Sequence, residues 1–129
     1  MPTIFSKIIN GEIPSYKIFE DDKFYAFLDI NPNAIGHTLC IPKIEVNRLF
    51  DLDDDTYFGL MNFSKKVAKA LKKAVDCDRI GVSVIGLEVP HAHVHLIPIN
   101  SMEDMSFNSK VKLTHEEFNG ILDKIKANL

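Results

Sequence analysis

The sequence predicts one α+β domain in which a sheet of about five strands, mainly antiparallel, packs with three helices. The 129 residues suffice for a single core. Five short apolar segments bounded by turn residues are typical of strands. One long mid-chain segment repeats its apolar residues at helical spacing, and a short helix at the amino terminus and one at the carboxy terminus complete the prediction.

The first third of the chain contains three of the predicted strands. Residues 4–13 surround Asn10-Gly11 with mixed apolar and polar residues, which predicts a short helix closed by Gly11. YKIFEDDKFYAFLD, residues 16–29, predicts two strands joined by a tight turn at Asp21-Asp22. The INPNAIG stretch, residues 30–36, predicts a loop, and residues 37–42 predict a third strand that ends at Pro42.

A long helix is predicted from Asp53, Asp54 or Asp55 to about Val75. Acids at its start and lysines near its end suit the helix dipole. Its predicted buried stripe consists of Tyr57, Leu60, Met61, Ser64, Val67, Ala68, Leu71, Ala74 and Val75.

The remaining elements are two strands and a helix. Residues 79–86 and 91–99 predict the fourth and fifth strands, joined as a hairpin by a short connection. Thr114 and Glu117 match a capping box, and Leu113 with Phe118 matches a hydrophobic staple. The apolar stripe predicted for this last helix is Phe118, Ile121, Leu122 and Ile125.

Composition excludes several classes of function. The formal net charge is −3, and the arginines are Arg48 and Arg79, so no general electrostatic grip on nucleic acid is expected. The start, MPTIFSKIING, lacks a long apolar stretch, so neither a signal peptide nor a membrane span is expected. Two scattered cysteines, Cys40 and Cys77, match neither a disulfide framework nor a zinc knuckle. We expect a cytoplasmic protein whose Cys40 is a buried hydrophobe.

The segment HAHVHLIP, residues 91–98, contains three of the five histidines. Since strand side chains alternate between faces, His91, His93 and His95 share one face and the apolar residues between them share the other. Three interpretations stay open: surface histidines without a role, a metal site and catalysis on an anion. Because His91 and His95 start about 13 Å apart, one ion needs a pair plus another ligand, such as His37. In catalysis, a neutral His93 attacks phosphorus while protonated neighbours offset phosphate charge.

HAHVHLIP, with residues 4–43, resembles the histidine triad (HIT) family, in particular its nucleotide-binding Hint branch. The resemblance runs from about Ile4 to Pro98. It implies a single HIT-like domain over 1–129, with a family-like core at 1–100 and a carboxy-terminal extension with a helix at 101–129. It also implies cleavage at the α-phosphate of nucleoside phosphoramidates or adenylated compounds through a nucleotidyl-histidine intermediate.

The resemblance assigns roles to single residues. His93 matches the nucleophile, His95 a residue at the phosphate and leaving group, and His91 one that orients the active strand. His37 matches a histidine that supports the triad. Asp29 matches the acid that binds the ribose hydroxyls, although from its own context it would be a turn-starting Asp.

The base pocket and its surroundings are less distinctive. The residues at the family's pocket positions are apolar, and each fits plain core equally well. They are Phe5, Ile8, Ile13, Phe27, Leu28 and Ile30. Such a pocket favours a purine nucleotide of the AMP type. The resemblance further implies a homodimer, and no cofactor or metal is expected in the chemical step.

One connection departs from the family pattern. IGLEVPH, residues 85–91, is shorter than usual before the triad and has no amide side chain. Glu88 and Val89 are expected to be nucleotide-binding residues, with Glu88 near the phosphate, which an ionised Glu88 would repel. Glu88 could point away, act on a cationic leaving group, or weaken turnover. The last case keeps a nucleotide-binding regulatory module with little turnover as an alternative. Dinucleoside polyphosphate hydrolysis is a second alternative, because sequence spacing does not separate the two substrate classes.

Overall fold

A computed structural model describes residues 2–129 and contains one five-stranded sheet. The strands are β1 (Lys17–Glu20), β2 (Phe24–Leu28), β3 (Thr38–Pro42), β4 (Arg79–Ser83) and β5 (Val94–Ile99). Their order across the sheet is β1-β2-β3-β5-β4, and all neighbouring pairs are antiparallel. The predicted α+β class is confirmed.

The three helices match their predicted places. They are α1 (Ile4–Ile9), α2 (Asp54–Ala74) and α3 (His115–Ala127). Asp53 occupies the N-cap position of α2, and Val75 occupies its C-cap position. Thr114 and Glu117 form the predicted capping box of α3. Among the described residues, no helix is both long and apolar enough to cross a bilayer.

The buried side of α2 differs from the predicted stripe. Met61 is exposed, whereas Phe63 and Ala70 are buried. Phe63 stacks on Phe19 with ring centroids 5.7 Å apart, and its centroid lies 5.5 Å from that of Phe24. Phe63 is therefore on the buried side of α2 because Phe19 of β1 and Phe24 of β2 pack against it.

The β4–β5 hairpin is confirmed, but both strands are shorter than predicted. The last paired residue of β4 is Ser83, opposite His95, and β5 begins at Val94. His91 and His93 therefore precede the strand. The His91 N–H donates to the carbonyl of Val89 at 2.9 Å. The Ala92 N–H donates to the carbonyl of Val46 at 2.7 Å, so loop contacts replace the sheet ladder here.

The two faces of the sheet bury two separate apolar clusters. The larger cluster lies under α2 and α3 and includes Leu28, Cys40, Val94 and Leu96. The smaller one lies under α1 and is built from Phe5, Ile8, Tyr25, Phe27, Leu39 and Ile41. Cys40 has no exposed surface, and burial raises the pKa of its thiol to about 12.

At Gly36 the backbone passes close to the end of α2. Its φ is +90°, a region that glycine adopts without strain. A Cβ at this position would lie 2.9 Å from Val75 Cγ2, 3.0 Å from Leu71 Cδ1 and 3.3 Å from Pro98 Cγ. The chain therefore requires glycine immediately before His37.

Candidate functional site

Four histidines lie along the antiparallel β3–β5 pair, on the face of the sheet that α1 covers. His37 precedes β3, and His95 lies on β5 opposite Leu39. The ring centroids of His93 and His95 are 4.9 Å apart, and those of His37 and His95 are 5.2 Å apart. His93 and His95 lie side by side, although His91 and His93 precede the strand on which they were predicted, and all four imidazoles are almost wholly buried.

His91 is held by hydrogen bonds on both ring nitrogens. Its Nε2 lies 2.8 Å from the carbonyl oxygen of Pro42, which can only accept, so Nε2 carries the proton. Burial lowers the pKa of His91, so the ring is neutral and its Nδ1 is an acceptor. The hydroxyl of Thr3, 2.8 Å away, therefore donates to Nδ1.

Thr3 is itself held in place by a small polar cluster. Its N–H donates to Glu45 Oε1 at 2.7 Å, and the Ser6 hydroxyl donates to the same oxygen at 2.6 Å. The Thr3 hydroxyl also accepts the Ser6 N–H at 3.1 Å, as the N-cap of α1. These bonds hold the pKa of Glu45 below its usual value. The cluster thus joins α1, the segment after β3 and His91.

The tautomer of His93 is defined by one backbone contact. Nδ1 lies 2.7 Å from the carbonyl oxygen of His91, so Nδ1 carries the proton and donates. Burial lowers the pKa of His93, which leaves Nε2 with a free electron pair at neutral pH. The ring of Phe5 packs edge-on against it at 5.0 Å. This arrangement suits a nucleophile.

His37 and His95 form a directed hydrogen-bond chain. The backbone N–H of Asn33 donates to His37 Nδ1 at 2.9 Å, so the His37 proton is on Nε2. Nε2 donates to His95 Nδ1, also at 2.9 Å. The proton of a neutral His95 is then on its own Nε2, as a donor for a ligand.

Burial keeps the whole cluster neutral. It lowers the pKa of His37 to about 3 and that of His95 to about 4, with smaller contributions from neighbouring histidines and Lys110. The expectation that some of the row is protonated is therefore wrong for the free protein. His37 Nε2 lies 3.6 Å from Asp29 Oδ2, a contact that is not an ion pair at neutral pH. Burial also raises the pKa of Asp29, which the Asn31 N–H partly opposes.

A cleft of about 450 Å³ opens beside these histidines. It is lined by His93 and His95, by the acids Asp29 and Glu88, and by the cation Lys110. A second cavity, of about 520 Å³, also reaches His93 and lies between residues 47–51 and 84–87. The connection after β4 separates the two spaces.

The predicted pocket residues take different positions. Phe5 and Val89 line the cleft, while Ile8 and Phe27 are buried in the cluster under α1, and Ile13 packs against that cluster. Leu28 faces the opposite cluster, under α2, because it neighbours Phe27 on a strand. Ile30 is 74% exposed and does not line the cleft.

Asp29, His37 and His95 form a possible metal-binding group, with ligand atoms all within 4.8 Å of one another. Binding through His37 Nε2 would move its proton to Nδ1, where it would face the Asn33 N–H. The hydrogen-bond chain therefore fits these rings better than an ion does.

Several contributors were not predicted from the sequence. Thr3 and Glu45 support His91, and the Asn33 N–H fixes the His37 tautomer. Phe107 lies edge-on to His95 with centroids 4.9 Å apart, and Lys110 lines the cleft. The N-cap pattern at Thr3 is a local signal, whereas Phe107 and Lys110 belong to an irregular segment without periodicity.

Comparisons with known proteins agree on one family. The HIT domain matches residues 10–102. A HIT-like protein of Borreliella burgdorferi is 38% identical, over 98% of this chain and 97% of its own. Adenosine 5'-monophosphoramidase HNT1 of Saccharomyces cerevisiae is 44% identical over 74% of this chain and 61% of its own. The crystal structure of a Hit-like protein from Bartonella henselae superposes with a TM-score of 0.86 at 38% identity, covering 98% of this chain and 96% of that one. The chain therefore belongs to the HIT family.

Proposed function

We propose that this chain is a nucleotide-binding hydrolase that cleaves purine nucleoside phosphoramidates or adenylated compounds at the α-phosphate. The observation that carries the proposal is the 2.7 Å bond from His93 Nδ1 to the His91 carbonyl, which leaves Nε2 unprotonated beside the cleft. A relative named adenosine 5'-monophosphoramidase, 44% identical over 96 residues, supports the substrate class.

The proposed reaction has two displacements. His93 Nε2 attacks the α-phosphorus, the P–N bond breaks, and the amine leaves after taking a proton from solvent. The Nδ1–H of the nucleotidylated His93 keeps its bond to the His91 carbonyl, which stabilises the positive ring. Water then attacks phosphorus, the P–Nε2 bond breaks, and the nucleoside monophosphate leaves as a proton returns to solvent.

Other residues are assigned binding roles in this proposal. His95 Nε2–H donates to a phosphate oxygen, with His37 holding the ring through Nδ1. Asp29, whose side chain is 18% exposed at the cleft wall, accepts from the ribose hydroxyls. Phe5, with Ile8, Phe27 and Ile13 behind it, forms the apolar wall for the base.

His93→Ala tests the proposal directly. The variant should release no AMP from an adenosine phosphoramidate, whereas the wild type should do so. Quenching wild-type turnover in alkaline denaturant, which preserves an acid-labile P–N bond, should yield a nucleotidylated peptide that contains His93. Wild-type rates in the folded variant would refute the mechanism.

Glu88 favours a second candidate, a nucleotide-binding regulatory module with little turnover. Its carboxylate lines the cleft beside His93. Calorimetry that finds tight AMP binding, together with no turnover across phosphoramidates and dinucleoside polyphosphates, would support this candidate instead. A rate comparison of those two substrate classes also separates the phosphoramidase from the dinucleoside polyphosphate hydrolase.

We further propose a homodimer that joins two β4 edges. Strand β4 is at the sheet edge, and Val82 and Val84 beside that edge are 53% and 39% exposed. Phe58 and Met61 on α2 add exposed apolar surface. Sedimentation should give a dimer, and Val82→Lys should shift it toward monomer.

We also propose that the chain is one domain over 1–129 and that the protein is cytoplasmic. Phe118, Leu122 and Ile125 of α3 share the larger cluster with the sheet, which supports one domain over 1–129. Both cysteines, Cys40 and Cys77, are free and buried, which supports a reducing, cytoplasmic location.

A further inference from the structure

The segment between β5 and α3 forms one wall of the cleft. Two bonds hold it to the loop after β2: the Asn33 side-chain amide donates to the Asp104 carbonyl at 3.3 Å, and the Val111 N–H donates to the Pro32 carbonyl at 2.9 Å. Between these anchors, the Phe107 ring packs against His95 at 4.9 Å. Phe107 lies beyond residues 10–102, the part of the chain that the HIT domain matches.

Lys110 presents an ammonium group at the end of this wall. Its Nζ donates to the Asn31 carbonyl at 3.1 Å and to Asn33 Oδ1 at 2.8 Å, and lies 4.9 Å from the Phe107 ring centroid. Both hydrogen-bond acceptors are neutral. Among residues 2–129, no carboxylate lies within ion-pair distance of this nitrogen. One N–H and the full charge are left for a ligand.

The charge of Lys110 sets it apart from the other side chains that line the cleft. Of the described residues lining the cleft, Lys110 is the cation, Asp29 and Glu88 are the acids, and the histidines are neutral. Of these charged side chains, either acid would repel an anionic ligand group and Lys110 would attract it.

The position of Lys110 indicates which part of a substrate it meets. Successive separations of 4.9 Å lead from His93 to His95, from His95 to Phe107 and from Phe107 to Lys110 Nζ. These contacts connect the four groups in series, with His95 and Phe107 linking His93 to Nζ. The Asp29 carboxylate disfavours an added anion on the ribose, so the leaving group is the better candidate.

We propose that Phe107 and Lys110 form a leaving-group subsite that selects substrates whose leaving group carries a carboxylate. Phe107 packs against the carbon skeleton of that group, and Lys110 Nζ binds its carboxylate. The proposal rests on the proposed function, because it assumes a phosphate at His93.

Two matched substrates test the subsite: the AMP phosphoramidates of glycine and of glycinamide, which differ in one negative charge. The measured quantity is the ratio of kcat/KM for the acid to that for the amide. The wild type should favour the acid roughly tenfold, as expected for one partly exposed charge-assisted contact. Lys110→Gln retains hydrogen-bond donors without charge and should lower the ratio to about one or below.

Two further variants control for charge and for structure. Lys110→Arg should keep the preference for the acid, and so should Lys112→Gln, which removes an exposed charge two residues away. Thermal melting establishes that each variant folds. An unchanged ratio in Lys110→Gln, or an equal loss on both substrates, would overturn the subsite.

The remaining outcomes separate this proposal from the proposed function. A preference that depends on Lys110 but appears for a 3'-phosphorylated nucleotide rather than for the acid would contradict the leaving-group assignment. If the wild type hydrolyses both substrates with no preference, the subsite fails and the proposed function stands. If His93→Ala still hydrolyses both at wild-type rates, the proposed function itself fails.

Discussion

The Thr3 hydroxyl donates to Nδ1 of His91 at 2.8 Å, although 88 residues separate the two in the chain. The contact holds the His91 ring on the Nδ1 side, while the Pro42 carbonyl fixes the proton on Nε2. Since the His91 carbonyl in turn accepts from His93 Nδ1, the amino terminus takes part in orienting the proposed nucleophile. Thr3 is thus a positioning residue.

Thr3→Val should lower kcat roughly tenfold with little change in KM, because the loss of one buried hydrogen bond amounts to about 1–2 kcal/mol. Thr3→Ser keeps both the donor and the helix cap and should restore kcat. Steady-state kinetics on an adenosine phosphoramidate provide the measurement. Equal kcat in the Val and Ser variants would remove this role from Thr3.

Glu88→Gln should lower KM for a phosphoramidate a few-fold, because it removes a carboxylate from the cleft beside His93. The side chain is exposed, so screening keeps the effect small. The difference from wild type should shrink as salt is raised. Glu12→Gln, an exposed change outside the cleft, serves as the control. An increase in KM would indicate that Glu88 helps to bind the substrate.

The buried histidines should make the protein less stable in mild acid. Burial lowers the folded-state pKa of His37 to about 3, whereas the unfolded chain binds this proton near 6.5. Below pH 6.5 the unfolded state therefore binds more protons, and stability falls until the pH reaches the folded pKa. Between pH 7 and pH 5 the loss should be about 2 kcal/mol for His37 alone. The raised pKa of Asp29 opposes this trend in part.

Urea unfolding at pH 7 and at pH 5 measures the effect. In His37→Asn the difference between the two free energies should be smaller than in wild type. His115→Asn, at an exposed position on α3, should leave the difference intact. An equal difference between pH 7 and pH 5 in all three proteins would show that folding does not hold His37 neutral.

Gly36→Ala should destabilise the fold by roughly 3 kcal/mol, since it combines a positive φ with overpacking against Val75 and Leu71. Gly11→Ala is the matched control. Gly11 also has a positive φ, +79°, but its Cβ would meet nothing within 4 Å, so about 1 kcal/mol is expected. Urea midpoints with an unchanged m-value compare the two. Equal losses would mean that the space around Gly36 has no effect.

Helix positions were predictable from the sequence because their signals are local. The Thr114–Glu117 capping box and the acids before α2 mark helix starts within a few residues. Strand ends depend instead on distant partners. Strand β4 ends at Ser83, whose partner is the distant residue His95, and the sequence around Ser83 does not mark this end.

The histidine face was predictable, but its surroundings were not. Alternation places His93 and His95 on one side, whereas their burial comes from Phe5 of α1 and from Phe107. Phe27 and Leu28 were both predicted in the base pocket, yet neighbours on a strand face opposite ways. The sequence alone was therefore enough to exclude one of these two residues from the pocket. The catalytic and binding roles of all these residues stay predictions.

The complete burial of Cys40 gives the protein a chemical reporter of unfolding. Cys40 lies on β3, between β2 and β5, where its thiol meets neither solvent nor a base that could ionise it. An alkylating reagent can reach it only after the centre of the sheet has opened. Because the chain contains no tryptophan, the rate of Cys40 labelling, followed by mass spectrometry of its peptide, reports the opening of the sheet centre where tryptophan fluorescence cannot.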